Sequence, residues 1–298
     1  MNKTLITVSG PTAIGKTKFA IDLAKFLNCE IISSDSRQFY KELSIGTAVP
    51  SKNELDAVKH HCIQHKSIQE IYTIKDFEQE ALKIINNLFK KNKYVIMVGG
   101  SGLYMDAVVH GLDDLPKIDD EIRKTLNIKF KKFGIEYLKK ELKKLDPKYF
   151  IKVDKNNPRR LIRALEVCLS SKKPYSSFIV GKKNNHSFNI FHIGLKLDRN
   201  ELYDRINSRV DQMIEKGLIN EVKGLINFKN LNPLNTVGYK ELFLFLDNKK
   251  TLEESTKEIK KNTRRFAKKQ MTWLRKKDVL WIENTVKVEK IKNYLDLK

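Results

Sequence analysis

TLITVSGPTAIGKTKFAIDLAKFL (residues 4–27) reads as a strand, a glycine-bounded loop and a helix, in that order. TLITVS is a short apolar run with β-branched residues and little alternation, as expected of a strand buried on both faces. The loop Gly10, Pro11, Thr12, Ala13, Ile14, Gly15, Lys16, Thr17 fits G-x-x-x-x-G-K-[ST]. Its glycines let the backbone turn so that successive N–H groups face one centre. The helix that follows adds its positive end. Lys16 brings a full charge to a terminal phosphate, and the Thr17 hydroxyl can ligate Mg²⁺. A glycine turn before an ordinary helix is the alternative. Strand, loop and helix standing together disfavour it.

Outward from this unit, EIIS (30–33), YVIMV (94–98), FHIGLKL (191–197) and VLWI (279–282) have strand character. Helical patterns cover 16–27 and 73–91. The β-α-β-α-β order predicts an α/β fold with a P-loop NTPase-like parallel sheet, helices on both faces. The alternation stops near Leu115. Residues 117–186 read as helical and very basic, with KFKKFGIEYLKKELKK (129–144) and NPRRLIRALEVCLSSKKP (157–174) the clearest pieces. Pro158 suits a helix start, and Pro174 ends the second piece. The reading is a core of residues 1–116 plus 187–298, with an inserted all-helical domain at 117–186.

The chain has 298 residues, with 58 Lys and Arg against 36 Asp and Glu, a formal charge of +22. An excess of this size attracts polyanions. No run approaches the roughly 18 apolar residues of a membrane span, and MNKTLITVSG enters a strand directly. A cytoplasmic protein without membrane partners is expected. Cys29, Cys62 and Cys168 are odd in number and far apart, so no disulfide framework is implied. His60, His61, Cys62 and His65 cluster, but their spacing fits no zinc pattern and no second ligand cluster follows.

A P-loop specifies phosphate, not a reaction. Nucleotide hydrolases add an acidic residue at the end of another strand, whereas YVIMV runs into Gly99-Gly100-Ser101-Gly102. Asp35 follows the strand EIIS. Parallel strands open at their carboxyl ends into one crevice, which places Asp35 at the cleft of the P-loop. A turn or helix cap is the plainer role for an Asp at this position.

Six stretches in order resemble the bacterial-type tRNA dimethylallyltransferases, also called tRNA isopentenyltransferases. They are GPTAIGKT (10–17), SSDSRQFY with IGTAVPS (33–40, 45–51), VGGSGLY (98–104), NPRRLIRALEV (157–167), VGYKEL (237–242) and TRRFAKKQMTWLR (263–275). The resemblance spans nearly the whole chain. It implies transfer of a dimethylallyl group from dimethylallyl diphosphate to N6 of the adenosine 3′-adjacent to the anticodon. It implies Mg²⁺ as cofactor, tRNA as partner and a monomer without an obligate protein partner.

By the same resemblance, Lys16, Ser101 and Arg209 (in RINSRV, 205–210) serve the diphosphate and Asp35 is the general base. Asp35, Ser36, Arg37 and Gln38 line the base pocket. Ser101 stands where the family often has Thr, which keeps a hydroxyl. The tRNA contacts carried over are Arg123, Arg159, Arg160, Leu161, Ile162, Arg163 and Lys240, with charge added by Arg264, Arg265, Lys268 and Lys269. Arg264 or Arg265 could instead hold a structural pair. Ala267, Met271, Trp273 and Leu274 recur at helical spacing and read as core packing, with aromatic stacking on RNA the alternative. HHCIQ (60–64) departs from the family's HHLID: Cys62 replaces Leu, and Gln64 replaces Asp.

Three other readings compete. A P-loop kinase acting on a nucleotide or RNA shares the loop and the sheet. A prenyltransferase using free adenine nucleotides shares the chemistry but needs no basic insertion. A nucleotide-gated RNA-binding protein needs no carboxylate opposite the P-loop.

Overall fold

The computed structural model describes residues 3–181 and 185–295. The chain divides into two compact units, Met1–Val109 with Asn185–Lys298, and His110–Asn184.

The first unit opens with β1 (Thr4–Ser9) and α1 (Lys16–Leu27), followed by β2 (Ile31–Ser33), α2 (Lys52–Ala57), β3 (His60–His61), α3 (Ile74–Leu88), β4 (Tyr94–Gly99) and α4 (Gly102–His110). The six strands of the unit are all parallel, in the order β3-β2-β4-β1-β5-β6. Neighbouring strand residues feed opposite cores. Leu5, Val95 and Met97 pack on one face, and Ile6, Val8, Ile96 and Val98 on the other. Two buried faces explain why these strands are apolar runs without alternation. α1 covers one face with Phe19, Ala20, Leu23 and Ala24, and α3 the other with Phe77, Ala81 and Ile85. The two-residue β3 was not among the expected strands. It is too short to show a period, and its pairing with Ile31 and Ile32 of β2 is a backbone matter.

The second unit holds α5 (Asp120–Leu145), α6 (Pro147–Lys152) and α7 (Pro158–Ser171), with no strand among its described residues. α5 is interrupted at Gly134, whose φ of 72° is left-handed. The stretch read as one helical piece is therefore two. Leu126, Leu138, Leu142, Val153, Leu161, Ile162, Ala164 and Leu165 form its core. Asp146 is buried and caps α6 through the Tyr149 amide at 2.9 Å. It also accepts from the Ser176 amide at 2.6 Å and the Ser176 hydroxyl at 2.9 Å. Pro158 stands in the first turn of α7, capped by Asn157.

The chain returns to the sheet as β5 (Asn189–Lys196), then α8 (Arg199–Glu215), α9 (Leu218–Gly224), α10 (Tyr239–Leu246), α11 (Leu252–Leu274), β6 (Leu280–Glu283) and α12 (Glu289–Leu295). The helical unit takes in 111–119, which carry no regular structure, so it begins before the expected residue 117. His186 belongs to the sheet unit: its ring stacks on Phe188 and its Nε2 lies 2.9 Å from the Val109 carbonyl. Among the described residues no helix is long and apolar enough to cross a membrane.

Candidate active site

β1, β4 and β2 lie side by side, so three loops leave the sheet together at their carboxyl ends. The β1 loop turns through left-handed backbone at Ala13 (φ 65°) and Gly15 (φ 98°). Ile14, 1 % exposed, plugs the loop into the core. No side chain caps the start of α1, which leaves its first amides available to an anion. Lys16 Nζ donates to the carbonyls of Gly10 (3.0 Å) and Pro11 (2.9 Å). The Thr17 hydroxyl makes no hydrogen bond among the described residues.

From β2 the chain runs through buried Ser33 and Ser34 into Asp35. One Asp35 oxygen accepts the Arg37 amide at 3.0 Å and holds a tight turn. The plainer turn role expected of this residue is thus present. Its charge acts on both Lys16 and Arg209, which puts the three groups within one electrostatic field. Burial pulls the Lys16 ammonium down to about 8, Asp35 raises it, and Arg209 lowers it. Burial also lowers Arg209, again opposed by Asp35. Arg209 makes no side-chain hydrogen bond among the described residues, so its donors are uncommitted.

The third loop joins the first two. Ser101 Oγ accepts the Ser36 amide at 3.0 Å and lies 3.0 Å from the Ser36 hydroxyl. Gly100 comes so close to α11 that an added Cβ would lie 2.3 Å from Gln270 Nε2. Gln270 was not among the site residues expected from sequence. Its Nε2 donates to the Gly100 carbonyl (2.9 Å), and its Oε1 accepts the Thr12 amide (2.8 Å). One buried amide thereby ties the P-loop to the β4 loop. Only its place in the stretch 263–275 hinted at it.

Arg37 and Gln38 both bond backbone carbonyls. Arg37 Nη1 donates to the carbonyls of Asn232 (3.2 Å) and Pro233 (3.1 Å). Gln38 Nε2 donates to Thr47 (3.2 Å) and Ala48 (3.0 Å), while its Oε1 accepts the Ser33 hydroxyl (3.2 Å). The Gln38 amide is thus occupied in holding the 45–48 loop and is not free for a base edge. The same loop is gripped by Glu221, which sequence reasoning also missed. Its carboxylate accepts the amides of Ser44 (3.1 Å), Ile45 (2.7 Å) and Gly46 (3.0 Å) and the Tyr239 hydroxyl (2.6 Å).

A P-loop, a carboxylate after β2 and a glycine-rich third loop braced from α11 occur here in the chain order 10–17, 35, 99–101 and 270. A sequence model described as IPP transferase matches residues 38–277. The chain belongs to the IPP transferase family. It is 53 % identical over 299 residues to the tRNA dimethylallyltransferase of Christiangramia forsetii, covering 100 % of this chain and 99 % of that one. It is 51 % identical to that of Flavobacterium johnsoniae, covering 98 % and 97 %. Among solved structures, the tRNA isopentenylpyrophosphate transferase of Bacillus halodurans superposes with a TM-score of 0.73 at 38 % identity, covering 99 % and 96 %. A eukaryotic dimethylallyltransferase acting on tRNA superposes at 0.81 with 28 % identity, covering 95 % of this chain and 74 % of that one.

Within this IPP transferase the helical unit sorts the remaining residues. Arg159 and Arg160 are exposed on the first turn of α7. Leu161 and Ile162 are a correction. At 0 % and 9 % exposure their side chains fill the helical core and cannot reach a surface ligand. Arg123 grips buried Glu166 with two nitrogens at 2.5 and 2.8 Å, and Arg163 lies 3.5 Å from the same carboxylate. In the sheet unit, Lys240, Lys268, Lys269 and Arg265 are exposed, whereas Arg264 donates to Asn207 at 2.6 Å. Ala267 and Leu274 are buried as expected. Trp273 is only part-buried and donates to Asp106 at 3.0 Å. His60 and His61 are tied to the Val58 carbonyl and to Glu30, each at 2.7 Å.

Proposed function

We propose that this IPP transferase moves the dimethylallyl group of dimethylallyl diphosphate to N6 of the adenosine 3′-adjacent to the anticodon of tRNA. The observation that carries the reading is the meeting of three loops at the carboxyl ends of β1, β2 and β4, where Gln270 joins Thr12 to Gly100 and Ser101 accepts the amide of Ser36, the neighbour of Asp35. The names and extents of its relatives point the same way.

The reaction forms a bond from the adenine amine to C1 of the allyl group and breaks the bond from C1 to the diphosphate oxygen. Negative charge grows on the leaving diphosphate. The amides of 10–17, Lys16, Arg209 and the Ser101 hydroxyl are the groups offered to it. When diphosphate arrives, Lys16 exchanges carbonyl partners for phosphate oxygens, which favours its charged form. Thr17 is the protein's own candidate Mg²⁺ ligand. One uncommitted hydroxyl, completed by diphosphate oxygens and water, suits that ion. Bound there, Mg²⁺ would spread the charge of the departing group.

The adenine amine is a weak nucleophile because its lone pair is delocalised. Asp35 accepts its proton as positive charge develops on nitrogen. The anticodon loop is single-stranded, so the base can be turned out into the cleft. Ser36 lines this pocket, while Arg37 and Gln38 shape it through the backbone they hold. Exposed Arg159, Arg160 and Lys240 contact the tRNA backbone, and Arg123 and Arg163 act there from their places beside Glu166.

The test offers labelled dimethylallyl diphosphate with unmodified tRNA, AMP or ATP as acceptor. Label in tRNA alone supports the reading. Label in AMP or ATP makes this an adenylate-type enzyme, and phosphate transferred from ATP makes it a kinase.

A further inference from the structure

We propose that Cys62, His65 and Glu80 form a zinc-binding site, separate from the P-loop cleft and independent of the reaction proposed above. Cys62 and His65 stand on the turn after β3, and Glu80 projects from α3. The thiol sulfur, an imidazole nitrogen and a carboxylate oxygen all lie within 4.8 Å of one another. A tetrahedral zinc bonded at about 2.0–2.3 Å holds its ligands roughly 3.5 Å apart. Closing the site therefore needs side-chain shifts of about an ångström, not a refolded turn.

The existing contacts leave these donors ready for an ion. Both ring nitrogens of His65 are buried without a hydrogen bond. Nε2 is 3.2 Å from Glu80 Oε1, an ion-pair contact that an ion held between the two groups would replace. The other Glu80 oxygen is already taken. It accepts the Tyr72 hydroxyl at 2.9 Å and lies 3.4 Å from Lys66 Nζ. This is the outer support that fixes a ligating carboxylate. The His65 ring is held edge-on by Phe39 and Tyr72, with centroids 5.8 and 5.4 Å away.

The backbone aims the ligands. Cys62 and Gln64 adopt left-handed φ of 61° and 47°, and the Gln64 and His65 amides bond the carbonyls of Gln38 and Phe39. A thiolate, an imidazole and a carboxylate favour zinc over Mg²⁺ or Ca²⁺. Water completes the fourth position. The Cys62 thiol, which burial and then Glu80 push up to about 12, gives its proton to solvent as the sulfur–zinc bond forms. Lys66 opposes the ion by charge, while Cys62 and Glu80 bring two negative charges to it. Because 64–66 pair with 38–41, an ion here would brace the segment following Asp35.

The intact protein, dialysed against metal-free buffer, is titrated with Zn²⁺ and with Co²⁺. One equivalent is expected, with the near-ultraviolet thiolate-to-cobalt band and intense visible bands of a tetrahedral site. Cys62→Leu should abolish the thiolate band, and Glu80→Gln should weaken binding about tenfold or more. Cys29→Ser and Cys168→Ser should leave both unchanged. Zinc should also slow alkylation of Cys62 in the unaltered protein, a readout that needs no variant. No thiolate band, a band that survives Cys62→Leu, or alkylation indifferent to zinc would overturn the proposal.

Discussion

Asp35 sustains the charge on Lys16. Burial is the strongest influence on the Lys16 ammonium and pulls it down to about 8, Arg209 adds to that fall, and Asp35 resists it. The same carboxylate opposes the lowering of Arg209. One carboxylate thus opposes the effect of burial on both cations.

Diphosphate binding should therefore titrate. Below about 8 Lys16 carries its proton, and as pH rises through that value the cradle loses a charge and affinity falls. Between pH 8 and 9, calorimetry of diphosphate binding in buffers of different ionisation enthalpy should show proton uptake, because the bound anion restores the ammonium. Asp35→Asn should move the alkaline limb to lower pH. A wild-type heat independent of buffer would contradict this.

Loss of the Asp35 carboxylate should separate chemistry from binding. Asp35→Ala is expected to lower kcat by about 10²- to 10⁴-fold, the usual worth of a positioned base. Retardation of tRNA in gels should change little. Equal losses in both assays would remove Asp35 from the base role.

Gln270→Ala strips partners from the Thr12 amide and the Gly100 carbonyl together. We expect diphosphate affinity to fall about tenfold, about 1.4 kcal/mol, with tRNA affinity held. Stability should drop by about 1–3 kcal/mol in denaturant melts, the cost of unpaired buried groups. Unchanged diphosphate binding would make Gln270 a packing residue only.

Glu221 should matter to folding before it matters to turnover. Glu221→Ala leaves three loop amides and the Tyr239 hydroxyl unpaired. A loss of about 3 kcal/mol is expected, against about 1 kcal/mol for Tyr239→Phe. Equal melting of the two variants would show that the loop is held by something else.

The arginines of the helical unit should fall into two kinds. Arg159→Ala and Arg160→Ala should each reduce the slope of log affinity against log salt by about 0.7–0.9 per phosphate left without its cation, with the melting temperature unchanged. Arg123→Ala should destabilise by about 1–3 kcal/mol, because Glu166 is 1 % exposed and, among the described residues, is left with the looser pairing with Arg163. A salt slope unmoved by Arg159→Ala would take that residue off the RNA.

Much was legible from residue order. TLITVS, YVIMV and EIIS announced a parallel sheet because burial on both faces removes alternation, and α1 runs over the expected 16–27. Asp35 stands just beyond β2, as the strand reading of EIIS placed it. β3 and the break at Gly134 escaped, since a two-residue strand and a single left-handed residue leave no periodicity.

Residue order by itself determined the P-loop, the strand sequence and the carboxylate after β2, because each depends on neighbours within a few positions. Only the tertiary structure decided which distant side chains meet within each unit. Gln270 meets Thr12 across 258 positions, Glu221 meets Ile45 across 176, and Arg123 meets Glu166 across 43. Tertiary packing also consigned Leu161 and Ile162 to the helical core. Hydrogen bonds and burial of this kind are made by chain segments that folding brings together, and no local spacing encodes them.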